Sequence, residues 1–266
     1  MSQDLLGKRV VITGGASGIG AGAVAAFHAA GAQVMVADLD AERGQALARQ
    51  LGPTVRFQRC NVAVEADVAA LIGRAREELG GIDCLWNNAG MLGEYGKAET
   101  HSWEGYRQLF DVVVGGSVLG IKHAAPIMKE QKQGCIINTA SIAGLLSGYG
   151  SHLYTAAKHA VIGLTRSAAT ELGRHFVRVN AIAPGAILTP LIFAAEGGGP
   201  EAEASARAIL PKVQPVPRAG LPEDVAALGV FLASDRASFI NGAIIPVDGG
   251  ASAGLPWNPL YEGRQQ

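Results

Sequence analysis

The chain is poor in the residues that build covalent or metal frameworks. Its 266 residues include three cysteines, Cys60, Cys84 and Cys135, with no C-x-x-C pair and no Cys/His cluster. A disulfide scaffold or a structural zinc site is therefore not expected, and no metal is assigned; each cysteine lies in or beside an apolar run, as small buried hydrophobes do in a reduced compartment. Aromatic residues make up 6%. Trp86, Trp103 and Trp257 are scattered, so they form no stacking platform for bases. Lysine and arginine number 22 against 23 acidic residues, a net charge of −1. That balance offers no electrostatic reason to bind nucleic acid or an acidic membrane surface. No apolar run approaches the ~18 residues that cross a bilayer. The start, Met1 to Lys8, lacks a basic stretch followed by an apolar core, so no signal peptide is expected. A cytoplasmic protein follows from these absences. Linkers, charge runs and fixed-period repeats are also missing, and residues 1–266 read as one domain.

Apolar residues, by contrast, are plentiful at 48%, and glycine occurs 36 times. The apolar residues alternate between β-branched runs and helical spacings. Arg9–Thr13, Gln33–Asp38, Val55–Cys60, Ile82–Trp86, Cys135–Ala140, Val177–Ala183 and Gly242–Val247 read as strands, with Trp86 in the core. Ala21–Ala30, Ala41–Leu51, Val64–Leu79, most of Ser102–Gln133, His152–His175 and Pro222–Ser234 read as helices. Near-continuous apolar strands separated by helices predict an α/β fold, a Rossmann-like doubly wound parallel sheet of about seven strands covered on both faces. Pro246 cannot donate to a ladder, which puts the last strand at or near an edge. Thr189–Arg218 shows no clean periodicity.

The first strand breaks into Gly14-Gly-Ala-Ser-Gly18-Ile-Gly20 and a helix opens directly behind it. Glycines let the backbone turn sharply and approach a pyrophosphate, while free N–H groups at a helix start attract the anion. Twenty residues beyond Gly18, Asp38 ends the second strand. A carboxylate there accepts hydrogen bonds from an adenosine ribose and repels a 2′-phosphate. No lysine or arginine adjoins it in sequence, so NAD is favoured over NADP. The alternative use of Asp38 is to cap the next helix, for which Asp40 is better placed.

A second constellation runs from Ser141 to Lys158. Serine ends the apolar run 135–140, a glycine-rich loop follows, and Tyr154 and Lys158 then stand four residues apart on a helical segment. Residues at i and i+4 share one helix face. A cation beside a phenol favours phenolate and lowers its pKa from about 10 into the range of a general acid or base. Ser141 could hold a substrate oxygen at the same point. His152, two residues earlier, is either a second acid or base or a loop histidine satisfied by backbone. His101 and the remaining histidines show no ligand spacing.

Taken together, Thr13–Gly20, Asn87-Asn-Ala-Gly90, Ser141 thirteen residues before Tyr154, Tyr154-x-x-x-Lys158, Pro184-Gly185 and Asp248-Gly-Gly250 resemble the short-chain dehydrogenases/reductases of about 250 residues, over nearly the whole chain. The resemblance implies that Tyr154 is the proton donor or acceptor, that Lys158 lowers its pKa and holds the nicotinamide ribose, and that Ser141 positions the substrate hydroxyl or carbonyl. It assigns cofactor contacts to Gly14, Ser17, Gly18, Ile19, Gly20, Asp38, Leu39, Asn61 and Val62. Asn88, Ala89 and Gly90 line the adenosine side, and Pro184, Gly185, Ile187 and Thr189 the carboxamide end. It also implies a homotetramer or homodimer, with the aromatic tail at 251–266 available to anchor an interface or to stay unordered. One departure stands out. The family's central-helix asparagine, which is thought to hold a water linking the lysine to solvent, is here Val113, and Gly115-Gly116 could leave room for a water on backbone carbonyls instead. The expected activity is a hydride transfer between NAD and a secondary alcohol or its ketone. An apolar lid around 190–215 (Leu191, Ile192, Phe193, Ile209, Leu210), with Met91, Leu92, Leu145, Leu146 and Tyr149, points to an apolar, cyclic, steroid- or terpenoid-like substrate. Loss of turnover at Val113 would instead leave an NAD-binding scaffold or regulator.

Overall fold

Alternate residues of each strand pack into opposite layers, and this fixes the architecture. Val10, Ile12, Cys84, Trp86, Cys135 and Ile137 enter one apolar cluster, while Val11, Leu85 and Ile136 between them enter another. A sheet buried on both faces must be covered on both. The computed structural model describes residues 4–194 and 197–254. Its strands are β1 (Arg9–Thr13), β2 (Gln33–Asp38), β3 (Val55–Arg59), β4 (Cys84–Asn87), β5 (Gly134–Thr139), β6 (Val177–Pro184) and β7 (Ile244–Val247). They form one parallel sheet in the order β3-β2-β1-β4-β5-β6-β7. The helices are α1 (Gly18–Ala29), α2 (Ala41–Leu51), α3 (Glu65–Leu79), α4 (Trp103–Phe110), α5 (Gly116–Gln131), α6 (His152–Leu172), α7 (Pro190–Ala194), α8 (Gly199–Ile209) and α9 (Pro222–Ala233).

The strand order reverses between β1 and β4, since β1 pairs with β2 on one side and β4 on the other. The loops leaving β1 and β4 diverge there and open a crevice at the carboxyl ends. The edge position expected of the Pro246 strand is observed, with Pro246 opposite Ala183 of β6. Asp40 does cap α2, accepting from the Arg43 amide at 3.0 Å.

Three features were not apparent from the linear sequence. The segment without periodicity is largely helical: α7, α8 and a 3₁₀ turn at Leu210–Lys212 build a small separate cluster from Leu188, Ala206 and Leu210. These helices are too short and too half-buried to print a stripe. The long central helix is not uniform, because a π-helical turn at Asp111–Gly115 separates α4 from α5. Such turns insert a residue into the helical ladder and recur at functional sites. Finally, the whole helical run Trp103–Gln131, 29 residues, is long and apolar enough to cross a membrane by length and composition. It packs instead against α3, α6 and the sheet, which explains its apolar character. The tail beyond residue 254 lies outside the described residues.

Trp86 is fully buried at the centre of one layer, with its ring 5.7 Å from that of Phe27. A Cβ at Gly229 of α9 would collide with that indole. Gly229→Ala should therefore destabilise the fold by about 1–3 kcal/mol, although alanine is the better helix former. Thermal denaturation checks this; an unchanged or higher midpoint would show that α9 is free to shift.

Candidate active site

Five side chains join the strand ends around the crevice. Thr13 Oγ1, at the end of β1, accepts from the amides of Asn88 (3.0 Å) and Ala89 (3.2 Å) beyond β4. The Asn88 carboxamide donates back to the carbonyls of Thr13 and Gly14, each at 3.1 Å. Its oxygen accepts from Thr139 Oγ1 at 3.1 Å, and that hydroxyl accepts from Trp86 Nε1 at 2.9 Å. The Thr139 carbonyl takes the Lys158 ammonium at 2.7 Å. One network thus fixes β1, β4, β5 and α6 relative to one another. Asn88, expected to line the adenosine side, does border the cleft, yet its amide is committed to the backbone.

The glycine loop is pressed against this frame. Gly14 has φ +62° and Gly18 φ +50°, in the left-handed region that favours glycine. A Cβ on Gly14 would lie 2.7 Å from Ala89 Cα. Gly20 is a different case: it does not border the cleft, and a Cβ there would strike the Gly14 carbonyl. Its absence of a side chain lets the loop fold back on α1. Asp38 accepts from the amides of Ala16 (2.9 Å) and Asp40 (3.0 Å), so its carboxylate is fixed beside the loop. The strand register adds what linear sequence hides, since Arg59 of β3 stands opposite Asp38. Among the described residues the two form no ion pair, and Arg59 does not border the cleft.

Opposite the loop, Ser141 Oγ accepts from the Ala143 amide at 3.1 Å, and Ser151 caps α6 by accepting from the Tyr154 amide at 3.3 Å. Lys158 is 4% exposed and its Nζ lies 5.5 Å from the Tyr154 ring centroid. The titration differs from the expectation that the lysine lowers the phenol. Burial pushes Tyr154 up to about 12, partly offset by its hydrogen bond with Ser141. Burial also pushes Lys158 down to about 8. The ammonium is directed at the Thr139 carbonyl and the tyrosine ring, and desolvation penalises both charged forms.

The cleft holds about 450 Å³. Every residue singled out from the sequence as catalytic or cofactor-binding borders it except Gly20, together with Met91, Leu92, Leu191 and Ile192 of the expected apolar set. Cys60, Val112, Thr139 and Ala140 border it too; nothing in their spacing signals this. The rest of the apolar set is placed elsewhere. Phe193 and Leu210 pack into the small cluster with Leu188 and Ala206, and Leu145 joins the cluster beneath α6. Ile209 and Leu146 are exposed, and Tyr149 donates to the Ala251 carbonyl at 2.8 Å. Val113 is buried with Leu109, Ala140, Ala157 and Val161. Its carbonyl accepts from Ser117 Oγ at 3.0 Å; a Cβ on Gly116 would press on Val62, whereas one on Gly115 would meet only the Phe110 carbonyl at 3.6 Å.

A parallel sheet of this order, with a glycine-rich loop at its switch point and Ser141, Tyr154 and Lys158 across the cleft, fits a dinucleotide-dependent oxidoreductase. Comparison with known proteins agrees. The family model described as enoyl-(acyl carrier protein) reductase matches residues 14–252. Momilactone A synthase of Oryza sativa is 42% identical, covering 94% of this chain and 92% of its own length. The 2,5-dichloro-2,5-cyclohexadiene-1,4-diol dehydrogenase of Sphingobium indicum is 39% identical, with coverage of 94% and 99%. Among solved structures, levodione reductase superposes with a TM-score of 0.88 at 34% identity over 94% of this chain and all of that one. The chain belongs to the short-chain dehydrogenase/reductase family.

Two outcomes follow from the burial. The Lys158 pKa falls from 10.5 to about 8 on folding. The unfolded chain therefore binds more protons between these values, and the cost of the buried charge is full below about 8 and vanishes as pH rises to 10.5. Lys158→Met should be as stable as the parent or more so at neutral pH, by up to about 3 kcal/mol, and should lose that advantage in alkali. Melting curves across this range decide it. Val113→Asn should cost about 1–3 kcal/mol by placing an amide in an apolar cluster, visible as a lower denaturant midpoint.

Proposed function

We propose that the protein is an NAD-dependent dehydrogenase of apolar, cyclic secondary alcohols, with oxidation the physiological direction because cellular NAD is mostly oxidised. The observation that carries the reading is the cleft itself: Ser141, Tyr154 and Lys158 form one wall, and the glycine loop with Asp38 forms the other. The cradle at Gly14 and Gly18, which a side chain would fill, suits the pyrophosphate. Asp38 would take the ribose hydroxyls, and its charge disfavours a 2′-phosphate. Ile187 and Thr189 would hold the carboxamide end. The apolar lining from Met91, Leu92, Leu191 and Ile192 supports a hydrocarbon-like substrate. So do relatives named for cyclic alcohols, the cyclohexadienediol dehydrogenase and a (+)-borneol dehydrogenase of Salvia officinalis, 38% identical.

Bound NAD supplies a hydride acceptor for the carbinol carbon. Ser141 holds the substrate oxygen, and Tyr154 removes its proton as the carbonyl forms. Lys158 completes the base. The first proton to leave the Tyr154–Lys158 pair comes off near 8, and the resulting species is basic whether the remaining proton sits on nitrogen or on oxygen. The buried, free cysteines suit a reduced cytoplasmic setting. Self-association into a homodimer or homotetramer is part of this reading; exposed Trp103, stacked on Tyr106 of α4, gives it an apolar contact. The second reading, a cofactor-binding scaffold without turnover, rests on buried Val113 in place of a water-holding asparagine. The complete Ser141–Tyr154–Lys158 group weighs against it.

The test is formation of reduced nicotinamide, followed by absorbance over a panel of cyclic secondary alcohols. Turnover should rise through about pH 8 and then level off. Tyr154→Phe should lose at least about a thousandfold. Lys158→Met should move the limb to higher pH. Val113→Asn should change the profile if the departure reroutes the proton, and an unchanged profile would show that no water route through this position matters. Binding of NAD without turnover on any alcohol or ketone would favour the scaffold. In the same preparation NAD should bind at least about tenfold tighter than NADP, and Asp38→Ser should narrow that gap; equal affinities would refute the assignment to Asp38.

A further inference from the structure

The segment between β4 and α4, residues 92–101, begins in the cleft at Leu92 and leaves it as a loop that ends in a short 3₁₀ turn at Ala98–Thr100. Most of it is exposed, and among the described residues its hydrogen bonds are local with one exception. Glu94 accepts from the Ser102 amide at 3.0 Å and hydroxyl at 2.7 Å, and Thr100 donates to the Lys97 carbonyl at 2.9 Å. The exception is His101, whose Nε2 lies 3.1 Å from Nδ1 of His152 in the first turn of α6. The rings meet edge to face with centroids 5.3 Å apart. The other nitrogen of His101 is buried and has no partner among the described residues. One neutral imidazole carries one N–H and one lone pair, so two such rings form a single directed bond.

We propose that the His101–His152 pair is a clasp that fixes segment 92–101 to the helix bearing Tyr154, and so sets the substrate-side wall of the cleft. Both histidines are positioning residues. The segment carries Leu92 in the cleft and brings Tyr95 near enough to Tyr154 to raise its pKa slightly. Releasing the clasp lets this wall swing without touching the cofactor loop on the opposite side. Substrate binding then weakens while NAD binding and the reacting atoms are left as they were. The inference rests on the dehydrogenase reading for its kinetic consequence, though not for the clasp itself.

The test is a double-mutant cycle with His101→Phe, His152→Phe and the double variant, each keeping a ring of similar size while losing the bond. Each single variant should raise KM for the alcohol about five- to tenfold, the worth of one ordinary hydrogen bond. kcat and the NAD dissociation constant should stay within about twofold, and the double variant should match the singles. His101→Gln, which keeps a donor, should recover much of the parent KM. Independently of activity, trypsin should cut after exposed Lys97 about five- to tenfold faster in either single variant. Additive effects, unchanged KM with unchanged cleavage, or a loss of kcat confined to His152→Phe would overturn the clasp, the last by making His152 an acid or base in its own right. If the parent oxidises no alcohol, the dehydrogenase reading fails, and the Lys97 cleavage rates still decide whether the clasp exists.

Discussion

The carboxamide of Asn88 is the pin on which the site turns. A carboxamide offers two donors and an acceptor in one plane, and here they reach β1 and the glycine loop on one side and Thr139 on the other. Thr139 in turn offers its carbonyl to Lys158. The glycine loop and the lysine therefore share one rigid support, although their strands are separate. Half-buried polar groups satisfied in this way specify a single arrangement, because any alternative leaves a donor or acceptor without a partner.

The same enclosure governs the chemistry. Lys158 is buried and Tyr154 half-buried, and desolvation makes each resist its charged form. Burial brings the Lys158 ammonium down to about 8, so it holds its proton far more loosely than a free lysine does. The stability lost to a buried ammonium and the lowered pKa of that ammonium have one cause. The π-helical turn and the valine at 113 pack in one apolar cluster with Tyr154, Ala157 and Val161 of the tyrosine helix, so this wall is held by apolar contact where the family usually places an asparagine.

Much of this was legible in the linear sequence. Strands buried on both faces print continuous apolar runs, a loop that must turn under a helix start needs glycine, and a catalytic tyrosine and lysine on one helix face need a spacing of four. The Asp40 cap, the edge position of the Pro246 strand and the buried Trp86 were equally readable, since each depends on local geometry. Other features could not be read. Gly20 looks like a cofactor contact because its role, making room for the Gly14 carbonyl, belongs to the backbone behind the loop. The segment after Thr189 looks irregular because α7 and α8 are short and half-covered.

Sequence alone determined the layered parallel fold, the family and the set of residues at the strand ends, because periodicity and turn chemistry are properties of neighbours along the chain. Tertiary structure decided the rest. It set Arg59 opposite Asp38, joined His101 to His152 across 51 positions, and reversed the expected direction of the tyrosine pKa. Register, long-range hydrogen bonds and desolvation depend on what folding brings near and what it shuts away from water, and no spacing in the chain records either.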